Sequence, residues 1–314
     1  MPPPKDLLSI SDIADRLPSL LDTATRLKAE RRRGIRSTPL LGRNVALIFE
    51  KPSTRTRTSF EVGIGDLGGH AIYLSKNDLQ LGRGETIADT ARVLSRYCDA
   101  LVYRAFRHED MAELARTASV PVINALDDLE HPCQIVADLL TMHERWGGAF
   151  RGKRLAWIGD GNNVLHSLLL GAASVGLDLT AATPKGYAPK PDVVRTAEDL
   201  AGRSGARLRF VEDPSDAARG ANALYTDVWV SMGDESEVAE RTRAFQGYQI
   251  NAELLRRASP EAFVLHDLPA HRGQEITDGV LDGPQSAAWD QAENRLHAQK
   301  AILELLLPAS VVSA

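Results

Sequence analysis

With 314 residues, 43% hydrophobic and 25% charged, the chain has the length and composition of two soluble domains with full cores rather than one. A net charge of −5 and a pI near 5.9 exclude a nucleic-acid surface as its main working face. No apolar run is long enough to span a bilayer, and Cys98 and Cys133 are too few for a disulfide scaffold or a four-thiolate zinc site. Met1-Pro2-Pro3-Pro4-Lys5 lacks the apolar core of a signal peptide, so the expected compartment is the cytoplasm.

Arg31-Arg32-Arg33 reads as a helix end, where arginines complement the helix dipole. From residue 44 onward, short β-rich runs alternate with helical patterns. The first run, Val45 to Phe49, reads as a buried strand, and Glu50-Lys51-Pro52-Ser53-Thr54-Arg55-Thr56-Arg57 follows it into a helix over Arg55–Leu67. Free N–H groups and the positive dipole end favour an anion at such a helix start. Ser53, Thr54 and Thr56 add hydroxyl donors, and Arg55 adds a planar fork suited to phosphate oxygens. An ordinary N-cap needs only one oxygen, so the segment reads as a phosphate cradle. It is not a nucleotide P-loop, because the glycine-rich turn and the Gly-Lys-Ser/Thr ending are missing.

Strands at Ala71–Leu74, Ala100–Tyr103 and Pro121–Ala125 then alternate with helices at Thr86–Arg96 and Glu109–Ala118. A longer helix over His131–Trp146 leads into Gly147-Gly148. A second series has strands at Arg154–Ile158, Leu179–Ala182, Leu208–Val211, Ala223–Thr226 and Phe263–Leu265, with helices such as Val164–Val175 and Pro191–Gly202. A last helix covers Glu293 to Leu307. Alternation at this spacing implies right-handed crossovers and parallel sheets. The expected fold is α/β: two similar-sized domains, each a parallel sheet flanked by helices, joined by long interdomain helices. The expected division is 1–146, completed by the C-terminal helix 293–314, and 147–292.

Polar clusters fall at the expected carboxyl ends of strands, where open parallel sheets place their sites. Arg104 ends one strand and His131-Pro132-Cys133-Gln134 opens a helix. A neutral histidine and an arginine there suit a carbonyl oxygen next to the phosphate. Cys133 and His131 alone do not make a metal site, and Cys133 reads as structural. Gly159-Asp160-Gly161-Asn162-Asn163 lacks the third glycine of a dinucleotide fingerprint. Asn162 and Asn163 fit either a turn or recognition of a carboxylate or amide. Asp227-Val228-Trp229-Val230-Ser231-Met232-Gly233 puts a carboxylate and a hydroxyl at a strand mouth, fit for an ammonium group or for a plain cap and turn. His266-Asp267-Leu268-Pro269-Ala270-His271-Arg272-Gly273 reads as an active-site loop.

Together and in this order, these motifs resemble the aspartate/ornithine carbamoyltransferase family, and its ornithine branch in particular, from about Leu41 to Leu307. Ser53 to Arg57 is similar to the family's carbamoyl-phosphate loop, and His131 to Gln134 to its His-Pro-x-Gln element. Asp227 to Gly233 resembles the ornithine-binding Asp-x-x-x-Ser-Met-Gly, and Glu293-Asn294-Arg295 the start of the last helix. Ser75 to Glu85 resembles a loop lent by a neighbouring subunit in the family's trimer. The resemblance implies carbamoyl transfer from carbamoyl phosphate to the δ-amine of ornithine, giving citrulline, without cofactor, metal, nucleic-acid or membrane partner, in a homotrimer or a multiple of it. It implies that Ser53, Thr54, Arg55, Thr56 and Gln80 hold phosphate, and that Arg104, His131, Gln134 and Arg295 grip the carbamoyl group and phosphate. Asn163, Asp227, Ser231 and the Met232 backbone would hold the amino-acid end of ornithine, and the Leu268 carbonyl would orient the amines. The family's His-Cys-Leu-Pro loop reads His266-Asp267-Leu268-Pro269 here, so a carboxylate stands where the family has a thiol. Asp267 is expected to act on the amine. That departure leaves open another acceptor, such as putrescine or an acylated ornithine. The Gly159–Asn163 turn leaves open a nucleotide-binding, dehydrogenase-like protein.

Overall fold

The computed structural model describes residues 4–80, 84–230 and 235–308. They form two compact units, one drawn from Met1–Leu140 and Asn294–Ala314, the other from Thr141–Glu293. The strands are β1 (Asn44–Phe49), β2 (His70–Ser75), β3 (Ala100–Arg104) and β4 (Val122–Leu126) in the first unit. The second holds β5 (Arg154–Ile158), β6 (Asp178–Ala182), β7 (Leu208–Val211), β8 (Ala223–Thr226) and β9 (Phe263–His266). Helices, in chain order, are α1 (Leu17–Arg32), α2 (Thr54–Asp66), α3 (Ile87–Leu94), α4 (His108–Thr117), α5 (Pro132–Arg145) and α6 (Asn163–Val175). They continue with α7 (Pro191–Ser204), α8 (Pro214–Ala218), α9 (Val238–Ala244), α10 (Ala252–Leu255), α11 (Asp278–Leu281) and α12 (Ala288–Leu306).

Both sheets are parallel throughout, in the orders β2-β1-β3-β4 and β7-β6-β5-β8-β9. A parallel strand covered on both faces must be apolar along its length, as Val45 to Phe49 is; the edge strands β2 and β7 stay partly exposed. In the first unit, Ala46, Ile48, Leu101 and Tyr103 share a core with Met111, Leu114 and Ala115 of α4. In the second, Ala156, Ile158, Leu224 and Val264 pack with Phe245, Tyr248 and Leu281. The winding reverses between β1 and β3 in one sheet and between β5 and β8 in the other, the switch points where such sheets place ligands.

The last helix differs from expectation at both ends: it starts at Ala288 rather than Glu293 and stops at Leu306. Ser286 accepts the Ala288 N–H, and Ala287 is already bonded to Val264 of β9, so the helix is launched from the sheet and not by a cap near Glu293. Inside the first unit its later turns are fastened by Lys28 to Asn294 (2.7 Å), Lys300 to Asp66 (3.4 Å) and Arg26 to Glu304 (2.6 Å). The short helices α8 to α11 lie in stretches that show no long hydrophobic period, which is why periodicity alone does not reveal them.

Gly161 shows why the turn after β5 needs a glycine. Its N–H bonds to the Tyr187 carbonyl at 2.9 Å, and a Cβ there would fall 2.5 Å from backbone atoms of Tyr187, Ala188 and Pro189. Gly161→Ala should cost about 1–3 kcal/mol, because backbone cannot yield as a side chain can. Gly202, inside α7 with nothing within 4 Å, is the control. There, alanine should be neutral or stabilising by up to about 1 kcal/mol. Thermal melts of the two variants check this: a Gly161→Ala midpoint equal to that of the natural chain would contradict the close approach.

Candidate active site

The first unit gathers its polar groups around the β1–β3 switch point. Phe49 is in register with Arg104, so the segment leaving β1 lies beside the end of β3. Ser53 holds extended backbone angles and caps α2, its Oγ accepting the Thr56 N–H at 3.2 Å while its own hydroxyl proton remains to be donated. Thr54 is exposed, Arg55 half-buried and Thr56 buried. Arg57 does not join the cradle. Its Nε donates to Glu61 at 3.0 Å, and its guanidinium lies 3.4 Å from the Tyr73 ring centroid.

Arg295 of α12 ties the cluster together. Its Nη2 donates to Thr56 Oγ1 at 2.9 Å, and its Nη1 donates to Gln134 Oε1. Gln134 in turn donates from Nε2 to Asp138 Oδ1 at 2.8 Å. Arg104, His131, Gln134 and Arg295 are all buried, with Arg295 only 3% exposed. Burial pushes the His131 imidazole well below its usual 6.5, and the positive charges of Arg295 and Arg104 push it further the same way. His131 is therefore neutral at physiological pH, a hydrogen-bonding group rather than a third cation.

The turn before His131 is set by Asp127. This buried carboxylate accepts from the Leu129 and Glu130 N–H groups at 2.8 and 2.7 Å, from Asn124 Nδ2 at 2.8 Å, and meets His108 Nδ1 at 2.7 Å. Cys133 is buried and donates its S–H to the Asn124 carbonyl at 3.3 Å. Burial pushes its thiol up to about 12, so it stays protonated at neutral pH. Gln80 is exposed; Leu81, Gly82 and Arg83 of the neighbouring loop motif lie outside the described residues.

In the second unit the cluster again straddles a switch point, now between β5 and β8. Asn162 caps α6 with its Oδ1, which accepts from the Val164 and Leu165 N–H groups. Its Nδ2 donates to Asp227 Oδ2 at 2.8 Å, bridging the ends of the two strands. Asn163, the residue singled out from sequence, is the half-buried first residue of α6. Asp227 is buried, and its Oδ1 also accepts the Val228 N–H at 2.6 Å. Arg241 of α9 donates to Asp160 Oδ2 at 2.7 Å and to the Trp229 carbonyl at 3.2 Å, pinning the chain that leaves β8. Ser231 and Met232 lie outside the described residues.

Thr226 is in register with His266, so Asp227 and Asp267 leave adjacent strands side by side. Polar atoms of Asp227, His266 and Asp267 lie within 4.8 Å of one another. The spacing resembles a metal site, but His266 is not a free ligand: Nδ1 accepts the Leu268 N–H at 2.9 Å and Nε2 meets Glu275 Oε1 at 3.0 Å. Leu268 sits at φ +59°, a left-handed conformation costing a non-glycine residue about 1–2 kcal/mol. Arg272, which the sequence placed in this loop cluster, is exposed and ion-paired with Asp278 and Asp282.

Asp127, Asp138, Arg241 and Glu275 are the supporting residues that sequence reading passes over. A lone acidic residue in a helix or turn reads as solvated, and nothing local shows that it is buried against a distant partner. In the 159–163 turn, Gly161 is accounted for by the approach of residues 187–189 and Gly159 by its φ of +154°, which leaves the turn without a signature specific to pyrophosphate.

An arginine–histidine cluster fit for an anion over one sheet, and a carboxylate pair fit for a cation over the other, are the equipment of a group-transfer enzyme. Residues 5–144 match the description "Aspartate/ornithine carbamoyltransferase, carbamoyl-P binding domain", and residues 151–306 match the companion "Asp/Orn binding domain". The chain belongs to the aspartate/ornithine carbamoyltransferase family. It is 53% identical over 310 residues to an ornithine carbamoyltransferase of Methanoculleus marisnigri, covering 98% of this chain and 99% of that one. Identity to one from Methanothermobacter thermautotrophicus is 55% over 303 residues, covering 96% and 99%. Among solved structures, the ornithine carbamoyltransferase from Pyrococcus furiosus superposes with a TM-score of 0.94 at 49% identity, covering 98% of each chain.

The state of His131 has a measurable consequence. Its folded pKa lies below the unfolded value of about 6.5, so the unfolded chain takes up a proton first as pH falls. The stability that comes from keeping the ring neutral is therefore present above that value, and is lost as pH drops toward the folded pKa. The natural chain should lose more stability than His131→Asn when moved from about pH 7.5 to 5.5. Denaturant midpoints at the two pH values test this; equal losses would mean that His131 is not held neutral.

Proposed function

We propose that this chain transfers the carbamoyl group of carbamoyl phosphate to the δ-amine of L-ornithine, giving L-citrulline and phosphate. The observation that carries this reading is buried Arg295 hydrogen-bonded to both Thr56 and Gln134, in a cluster with Arg104 and a neutral His131. Carbamoyl phosphate joins an anionic phosphate to a carbonyl whose oxygen gains charge as the amine attacks. Fixed cations and neutral donors stabilise both. Relatives named ornithine carbamoyltransferase, at 53% to 55% identity over nearly the whole chain, support ornithine as the acceptor.

In this reading, Ser53, Thr54, Arg55 and Thr56 hold the phosphate, joined by Gln80 from a neighbouring subunit. Arg104, His131, Gln134 and Arg295 hold the carbamoyl group. Asn163, Asp227, Ser231 and Met232 hold the amino-acid end of ornithine, with Asn162 orienting Asp227 through their hydrogen bond. The assembly is a trimer or a multiple of trimers, working in the cytoplasm in arginine metabolism. Among the described residues no helix is long and apolar enough to cross a membrane.

The donor is already activated, so positioning and charge stabilisation suffice. Ornithine's δ-amine titrates near a lysine's, at about 10.4, and arrives as an ammonium. It loses one proton before its nitrogen bonds to the carbamoyl carbon. As the bond from that carbon to the phosphate oxygen breaks, the nitrogen loses a second proton, and phosphate leaves as a hydrogen-phosphate dianion. Asp267, beside Asp227, accepts a hydrogen bond from the amine and is placed to take the first proton. A carboxylate there also stabilises the ammonium form, which raises the pH at which the enzyme works best.

Purified protein given carbamoyl phosphate and ornithine should release citrulline; carbamoylation of putrescine or an acylated ornithine in its place would overturn the acceptor assignment. Asp267→Ala should lower kcat by at least ~10-fold while changing the carbamoyl-phosphate KM less than about twofold. Asp267→Cys should retain partial activity with a lower pH optimum. An Asp267→Ala enzyme with the natural kcat and pH profile would show the carboxylate to be a bystander.

A further inference from the structure

We propose that His266 and Glu275 are positioning residues: they fix Leu268 and its loop, and through the loop the attacking amine. The inference rests on the reaction proposed above and concerns two side chains to which that reaction assigns no role.

His266 ends β9 and is fully buried, its backbone N–H bonded to Gln291 Oε1 at 2.9 Å. The partners of its ring determine its tautomer. The Leu268 N–H can only donate, so Nδ1, at 2.9 Å from it, carries the lone pair. Nε2 therefore carries the hydrogen and donates it to Glu275 Oε1, at 3.0 Å. Remove the acidic partner and the Nε2 hydrogen loses its acceptor, leaving the Leu268 N–H to select this tautomer by itself; with the hydrogen on Nδ1, the ring would face the Leu268 N–H donor to donor.

Glu275 is the second observation. Its carboxylate is 0% exposed and lies within one connected hydrogen-bonded loop. Oε1 also accepts the His271 N–H, so a single oxygen holds His266 at one end of the loop and His271 at the other. Oε2 has no hydrogen-bond partner among the described residues. A carboxylate buried with one oxygen left over is a costly way to build a core that any apolar residue of similar size would fill. What it accomplishes is local: it holds Leu268 in the left-handed conformation at φ +59° and sets where Asp267 stands relative to Asp227.

The test compares two replacements that divide the functions of the ring. His266→Asn places an amide oxygen near Nδ1 and keeps an acceptor for the Leu268 N–H. His266→Gln reaches Glu275 but takes that acceptor away. Glu275→Gln keeps an oxygen acceptor, whereas Glu275→Ala removes it. Folding of each variant is checked by its thermal midpoint. His266→Gln and Glu275→Ala should lose kcat by ~10–100-fold, the scale of a misplaced reacting group, and raise the ornithine KM several-fold. Their carbamoyl-phosphate KM should stay within about twofold of the natural value. His266→Asn and Glu275→Gln should recover most of the rate. Should Glu275→Ala fail to fold, the two His266 variants still decide. Equal rates for them, His266→Gln the faster, or a parallel rise in both KM values would each overturn the positioning role. A natural chain that makes citrulline with variants that match it sinks only this inference; a natural chain that makes none sinks the proposed reaction and the inference with it.

Discussion

A guanidinium buried in the first unit is the constraint on which its site depends. Arg295 cannot shed its charge, and the cost of removing it from water amounts to several kcal/mol. Hydrogen bonds from a charged donor return about 1.5–3 kcal/mol each. Its two named acceptors, Thr56 and Gln134, come from the first turns of α2 and α5, while Arg295 itself comes from α12. Three distant segments are thus held by one desolvated charge. Lys28, Lys300 and Arg26 fasten α12 along its length, so the arginine sits on a rigid element rather than a loop. An anion bound in this cluster adds charge compensation to the hydrogen bonds that Thr56 and Gln134 accept from Arg295.

The same charges act on His131. Between two arginines and out of water, an imidazole keeps its proton poorly. A charged histidine there would add to the repulsion among cations, whereas a neutral one donates a hydrogen bond without changing the net charge. The cluster thus offers two kinds of donor: guanidinium groups suited to a full negative charge, and a neutral imidazole suited to the partial charge of a carbonyl oxygen.

The second unit solves the opposite electrostatic problem. Its carboxylates are held individually: Asp160 by Arg241, Asp227 by Asn162 and the Val228 N–H, and Glu275 by His266 and the His271 N–H. Asp267 adds a second carboxylate beside Asp227, at a position where the family has a thiol. An aliphatic ammonium is the complement of such a pair. The two units are therefore built for ligands of opposite sign, each at the switch point of its own parallel sheet.

The sequence by itself determined the alternation of strand and helix, the parallel sheets, and the positions where polar groups leave the strands. Those features are written in short-range patterns: unbroken apolar runs such as Val45 to Phe49, and hydroxyl- and arginine-rich starts such as Ser53 to Thr56. The motifs that carry the family likeness are equally local, including the unusual Asp267. Only the tertiary structure decided which neighbour does which task. It made Asn162 the partner of Asp227, turned Arg57 to Glu61 and Tyr73, and sent Arg272 to Asp278 and Asp282. It also launched α12 from Ala288 and buried Asp127 and Glu275 as the anchors of two loops. The reason is physical. A side chain's role depends on whether it is removed from water and on which distant donor then meets it, and neither is a property of its own stretch of chain.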